Sequence, residues 1–142
     1  MDSIISLLTP KKITYFISEE STVRQALELF DFHKFSVVPL VDELGHYKGT
    51  LSEGDLLRFI KNFANLNLAI AENVLVKEID HYRPYSFVRV DALISEIFAL
   101  SLEQNFIPVV DDKDIYIGII KRRDIIQYLS EKIDFKFSDD RQ

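Results

Sequence analysis

Apolar positions recur along this chain with two periods. Val23, Ala26, Leu27 and Phe30 fall at i, i+3, i+4 and i+7, which gives one apolar stripe on a helix, and Thr22-Val23-Arg24-Gln25 at its head has the form of a capping box. Runs rich in β-branched and aromatic residues predict strands over 11–17, 36–41 and 47–51, the last two joined by a turn at Asp42-Glu43-Leu44-Gly45. A helix over about 53–64 follows, and a helical turn closed by Thr9-Pro10 precedes the first strand. The second half repeats the order: a strand at 85–90, a helical stripe headed by Ile94, Ile97 and Phe98, strands at 106–110 and 115–120, and a closing helix at 124–132.

The repetition extends to individual residues. Pro39, Val41, Tyr47, Gly49 and Asp55 recur as Pro108, Val110, Tyr116, Gly118 and Asp124, all at an offset of 69. The first helices align better at an offset of 71, Val23 with Ile94 and Ala26 with Ile97, so the second helix-to-strand loop is expected to be two residues shorter. Units of about 60 residues have little interior of their own, so two copies are expected to share a core. The predicted fold class is α+β, two β-α-β-β-α repeats packed about a pseudo-twofold axis, with function expected between the copies. The expected division is residues 1–64 as the first repeat with its N-terminal helical turn, 65–75 as a packed connection without Gly or Pro, 76–132 as the second repeat, and 133–142 as a polar tail that frays at Ser138-Asp139-Asp140-Arg141-Gln142.

Charge and composition narrow the function classes. The net charge is −6, made of −2 over 1–71 and −4 over 72–142, so neither half is a cationic platform and nucleic acid is not an expected partner. Without cysteine there is no disulfide framework, thiolate metal site or Cys nucleophile, which is compatible with a cytoplasmic location. The N-terminal residues lack a basic, then apolar, leader pattern, and no apolar run approaches the roughly 20 residues that span a bilayer, so no membrane is expected. His33, His46 and His81 share no metal-ligand spacing and read as exposed or turn histidines; Asp111, Asp112 and Asp114 read as a polar turn. No metal site is expected. Neither a Ser-His-Asp order, a Walker lysine motif nor paired catalytic carboxylates can be argued, so no catalytic residue is assigned and no cofactor is required.

The chemistry of interest is at the repeated strand-to-helix corner. A helix start presents free N–H groups and a positive dipole end, which suit phosphate oxygens; a hydroxyl there can donate to phosphate, and an ionised Asp can accept from two vicinal ribose hydroxyls. In the first copy the corner is Ser52-Glu53-Gly54-Asp55, for which the plain structural account is a capping box. In the second copy Lys121, Arg122 and Arg123 precede Asp124. A solvated basic corner is the plain account of that trio, but cations at a helix N-terminus oppose its dipole unless an anion comes between.

With Gly49-Thr50-Leu51-Ser52-Glu53-Gly54-Asp55, the upstream Pro39 strand and the Leu8-Thr9-Pro10 opening, the chain resembles a tandem cystathionine-β-synthase-type (CBS) domain pair over nearly all of residues 4–132. The second copy departs from the family pattern by placing Lys121 at the Thr/Ser position. The resemblance implies two clefts that bind adenosine-type ligands: one joining Lys121, Arg122, Arg123 and Asp124 to Lys12, Thr14, Tyr15, Ser36 and Val37, the other joining Ser52 and Asp55 to Tyr85, Ser86, Asn105 and Phe106. It further implies a non-catalytic regulatory module for AMP, ATP or cyclic di-AMP, similar to stand-alone bacterial CBS pairs, that forms a homodimer and signals to an unidentified target protein. Phe30, Phe32, Phe35, Ile97, Leu100 and Leu102 would supply apolar surface for the dimer. The alternative is a constitutive interaction scaffold in which Ser52, Asp55 and Asp124 only cap helices.

Overall fold

The computed structural model describes residues 3–62, 68–81 and 84–140 of the chain. It is an α+β protein in two compact units. The first unit comprises Tyr15–Tyr85 and Lys113–Tyr116; the second takes the described residues up to Thr14, Ser86–Asp112, and those from Ile117 onward. Residues 65–67, in the expected connection, and Arg141-Gln142, in the expected tail, lie outside the described residues.

In chain order the elements are β1 (Leu8–Pro10), β2 (Ile17–Ser18), α1 (Val23–His33), β3 (Val37–Val41), β4 (Tyr47–Ser52), α2 (Glu53–Lys61), α3 (Leu68–Asn73), β5 (Val88–Arg89), α4 (Ile94–Ser101), β6 (Phe106–Val110), β7 (Tyr116–Lys121) and α5 (Arg122–Asp140). The first unit carries a three-stranded sheet in the order β2-β3-β4, with β2 parallel and β4 antiparallel to β3. The apolar stripe read on α1 covers it: Val23, Ala26 and Phe30 are buried with Val38, Leu40, Leu51, Leu56 and Phe59. The helix starts with the capping box expected at Thr22 and Gln25. Residues 68–80 pack against α1, where Val23 N donates to Val74 O at 2.8 Å and Val76 N to Ser21 O at 2.8 Å, and Ala71 and Val76 join the core.

The second unit has a four-stranded sheet in the order β1-β7-β6-β5. Its first strand departs from the expected division of the chain. Leu8, Thr9 and Pro10 pair antiparallel with Ile120, Ile119 and Gly118, so the N-terminal segment completes the sheet of the second copy and not that of the first. Ile4, buried at 2% exposure, belongs to the same core as Ile97, Ile107, Val109, Ile120 and Ile125.

Other departures are local. The strand expected over 11–17 shrinks to Ile17–Ser18, because Thr14 closes a 3-10 turn at Lys11–Ile13: both its N and its Oγ1 donate to Lys11 O, at 3.0 and 2.8 Å. The strand expected at 85–90 is only Val88–Arg89, since the Gln104 side chain, not a strand partner, holds the Ser86 backbone. The deletion in the second copy falls in the helix: α4 has 8 residues against 11 in α1, while the following loop, 102–105, is longer than 34–36. Finally, α5 runs on to Asp140, through Ser138-Asp139-Asp140 where fraying was expected, as nothing after Lys132 is a helix breaker.

Candidate functional site

The first-copy corner is tightly bonded. Ser52 caps α2, its Oγ accepting from Asp55 N at 3.1 Å while Asp55 Oδ2 accepts from Ser52 N at 2.9 Å. Arg58, one turn along α2, donates through Nη2 to Asp55 Oδ1. His81 approaches from the opposite side, its Nδ1 lying 3.7 Å from Asp55 Oδ2 and 3.2 Å from Thr50 O, with Nε2 3.0 Å from Val76 O. Both ring nitrogens thus face acceptors, and the neighbouring Asp55 carboxylate holds the His81 pKa above its ordinary value despite the opposing effect of burial. This corrects the reading of His81 as an exposed or turn residue: its side chain is 20% exposed and Asp55 only 3%. A cleft of about 230 Å³ opens beside them, lined by Asp55, Arg58, Asn62, Glu78 and Asp80.

Around this corner the first unit gathers other expected residues. Val37 pairs with Ser52, and Glu53 N donates to Ser36 O at 2.9 Å. Tyr85 is pinned to the hairpin through its backbone: its N donates to Thr50 Oγ1 at 3.1 Å and its carbonyl accepts from the Tyr47 hydroxyl at 2.6 Å. Burial pushes the Tyr47 phenol far above its ordinary range, so it remains a donor. Tyr15 is 53% exposed and rests on the rings of His33 and Phe35.

The second-copy corner, in the second unit, is built differently. Arg122 is anchored: Nε donates to Ser101 O at the end of α4 (2.7 Å) and its N to Asn105 O (2.9 Å). That contact satisfies a carbonyl that a helix end leaves open. Lys121 and Arg123 are exposed and Asp124 is half-buried, and none of the three side chains has a hydrogen-bond or ion-pair partner among the described residues. Asp124 faces a polar cleft of about 440 Å³ with Ser6, Thr9, Gln127 and Glu131. Lys12, in the same unit, is exposed, and Thr14 is occupied by its turn.

Gln104 has no sequence signal as a functional or structural residue, yet it is buried at 7% exposure and fully bonded: Oε1 accepts from Ser86 N at 2.8 Å, and Nε2 donates to the carbonyls of Ser86 and Phe106, each at 3.1 Å. It sets the positions of two expected site residues, Ser86 and Phe106; Asn105 between them is exposed.

With both corners defined, the sequence model of the CBS domain matches residues 8–62 and 76–131. The chain belongs to the CBS domain family. No curated protein sequence matches it. Solved structures do: a CBS domain protein from Streptococcus pneumoniae TIGR4 at 22% identity, with 91% of this chain and 87% of that one covered and a TM-score of 0.79. CbpB of Listeria monocytogenes, solved in complex with cyclic di-AMP, is similar at 17% identity, 93% and 98% coverage and a TM-score of 0.77. CBSX2, solved in complex with AMP, is similar at 23% identity, 92% and 98% coverage and a TM-score of 0.71. These likenesses establish the fold of a CBS pair. Among the described residues no helix is long and apolar enough to cross a membrane, and no group of three His, Asp or Glu side chains is placed to hold a metal ion.

Proposed function

We propose that this CBS pair is a non-catalytic sensor of adenine nucleotides, with cyclic di-AMP and AMP the first ligands to test and ATP next. The observation that carries the reading is the corner at Lys121–Asp124. Two exposed, unpaired cations flank the start of a long helix, and an unpaired carboxylate stands one residue further on. Phosphate oxygens suit the cations and helix N–H groups, and ribose hydroxyls suit the carboxylate. Lys12 and Thr14, in the same unit as this corner, are proposed to contribute to the same ligand, and Tyr15, Ser36 and Val37 of the first unit are proposed as nucleotide contacts. Support comes from the solved relatives that hold cyclic di-AMP and AMP. Bound nucleotide stabilises the liganded state by mass action, and a target protein that prefers this state reads the signal.

The test is a melting-temperature and calorimetric titration against cyclic di-AMP, AMP, ADP and ATP. Arg123→Glu should weaken nucleotide affinity by about tenfold or more, roughly 1.4 kcal/mol, without lowering the melting temperature. Arg123 is preferred to Arg122 for this test because Arg122 also ties α5 to the end of α4. Absence of any ligand-induced shift across the panel would reject the reading. It would favour an interaction scaffold, for which the saturated capping box at Ser52 and Asp55 is the supporting observation.

A homodimer is part of the proposal. Each unit carries an apolar groove between two helices, α1 and α2 in one, at Leu27, Leu56, Leu57 and Ile60, and α4 and α5 in the other, at Phe98, Ile125, Ile126 and Leu129. Among the residues expected to supply apolar surface, Phe32 and Leu102 are exposed at 80% and 84%, whereas Phe30 and Ile97 belong to the cores.

A further inference from the structure

The two copies of the motif can be compared atom by atom. At the offset of 69, Asp55, Arg58, Phe59 and Asn62 correspond to Asp124, Gln127, Tyr128 and Glu131, and both sets line the clefts beside their corners. The segment facing each corner corresponds as well, at an offset of 72: Glu78, Ile79 and Asp80 line one cleft where Ser6, Leu7 and Leu8 line the other. Thr9 is then the counterpart of His81. The strand register agrees, since Thr9 pairs with Ile119 and the His81 ring faces the carbonyl of Thr50, which Ile119 replaces in the second copy.

Both basic side chains beside Asp55 are therefore replaced by neutral residues around Asp124. Arg58 becomes Gln127 and His81 becomes Thr9. The consequence is visible in the carboxylates. Asp55 is 3% exposed, with Oδ1 taken by the Arg58 guanidinium and Oδ2 by Ser52 N, beside the His81 ring. Asp124 is half-buried and has no partner among the described residues. A ribose hydroxyl, of which AMP offers two and cyclic di-AMP one on each sugar, can donate only to an acceptor position that is free, and at Asp55 it would have to displace a cation from a buried anion, leaving a charge unpaired.

We infer that the copies have diverged in role: Asp124 recognises ribose hydroxyls, while Asp55 is a structural clasp closed by Arg58 and His81, so the chain binds a single nucleotide ligand. This inference rests on the nucleotide-sensing reading above and fixes which copy of the motif carries it. Its reach is specific to this chain, because it depends on Arg58 and His81 in one copy and their neutral counterparts in the other.

Isothermal titration of the full chain with cyclic di-AMP and, separately, with AMP tests it. The expected result is no more than one equivalent per chain, a loss of about tenfold or more in affinity for Asp124→Asn at unchanged melting temperature, and affinity within about twofold of wild type for Asp55→Asn despite a lower melting temperature. Should Asp55→Asn not fold, Arg58→Met and His81→Gln take its place, each expected to leave affinity unaltered. Two equivalents per chain, or an affinity loss in the clasp variants equal to that of Asp124→Asn, overturns this inference alone. If neither nucleotide binds the wild-type chain, the sensing reading falls and this inference with it.

Discussion

The ring of Tyr15 lies against that of His33, with centroids 4.3 Å apart and planes inclined by 39°. Phe35 completes the cluster, 5.0 Å from Tyr15 and stacked on His33 at 5.1 Å with an interplanar angle of 18°. Tyr15 is thus braced from beneath while 53% of it is open to solvent. A ring held in this way loses little freedom when a flat base covers its open side.

If the nucleotide base stacks there, Tyr15→Ala should cost about 1–3 kcal/mol of affinity, the usual range for base–aromatic stacking. Tyr15→Phe keeps the ring and should bind nearly as wild type. Because the chain contains no Trp, tyrosine emission offers a second readout, and quenching by ligand should weaken in Tyr15→Ala. Equal affinities for all three proteins would remove the base from this platform.

Gly118 and its counterpart Gly49 predict a graded stability effect. Both have positive φ, 152° and 133°, which an L side chain adopts only with strain. At Gly118 a Cβ would also overlap the carbonyl oxygen of Thr9 on the paired strand β1, whereas at Gly49 it would meet the Pro84 Cβ at 3.2 Å. Each substitution by Ala should cost on the order of 1–3 kcal/mol through backbone strain, and Gly118→Ala should cost more, since backbone cannot step aside as a ring edge can. Urea denaturation of the two variants checks the order.

Much of this architecture is legible in the sequence because it is written in local signals. Pro39 and Pro108, Gly49 and Gly118, and the Thr22–Gln25 capping box each mark an element through their own backbone chemistry, and the hairpins and α1 form where those residues place them. What escapes depends on partners distant in the chain. Leu8–Pro10 carries no mark that its partner is Ile120–Gly118, more than a hundred residues away. Gln104 looks like an ordinary polar residue before a strand, and only burial beside Ser86 makes its amide a three-bond staple. At the site, Ser52 and Asp55 were recognisable as a motif, yet the clasp that saturates Asp55 needs His81, which lies 26 positions further on and has no metal-like or catalytic spacing to draw notice.

His81 gives the clasp a pH dependence with a defined sign. The Asp55 carboxylate beside the ring raises its folded-state pKa above the ordinary 6.5, with support from the carbonyls of Val76 and Thr50, so folding favours the protonated ring. The stabilisation is complete below about pH 6.5, the unfolded value, and is lost as pH rises through the higher folded-state pKa. Arg58 stays charged throughout and keeps Asp55 paired. Urea midpoints for wild type should therefore fall relative to His81→Gln as pH rises above about 6.5, the unfolded value. A constant difference across that range would show that the ring does not titrate against the fold.

Self-association is the remaining prediction. Leu57 and Ile60 on α2 have Ile126 and Leu129 on α5 as counterparts at the offset of 69, and their exposures are 65%, 37%, 58% and 39%. Helix faces that keep large apolar side chains in water at equivalent positions of both repeats suit an isologous contact, in which one patch on each chain serves twice. A stable contact needs about 1,000 Å² or more of total buried surface, so a single charge placed in either groove should be felt across the whole interface. Sedimentation at micromolar concentration should give a dimer for wild type and a monomer for Leu57→Glu combined with Ile126→Glu, with the far-UV spectrum unchanged because both side chains are already exposed. A wild-type monomer, with and without nucleotide, would assign these grooves to a different partner and exclude signalling through the dimer.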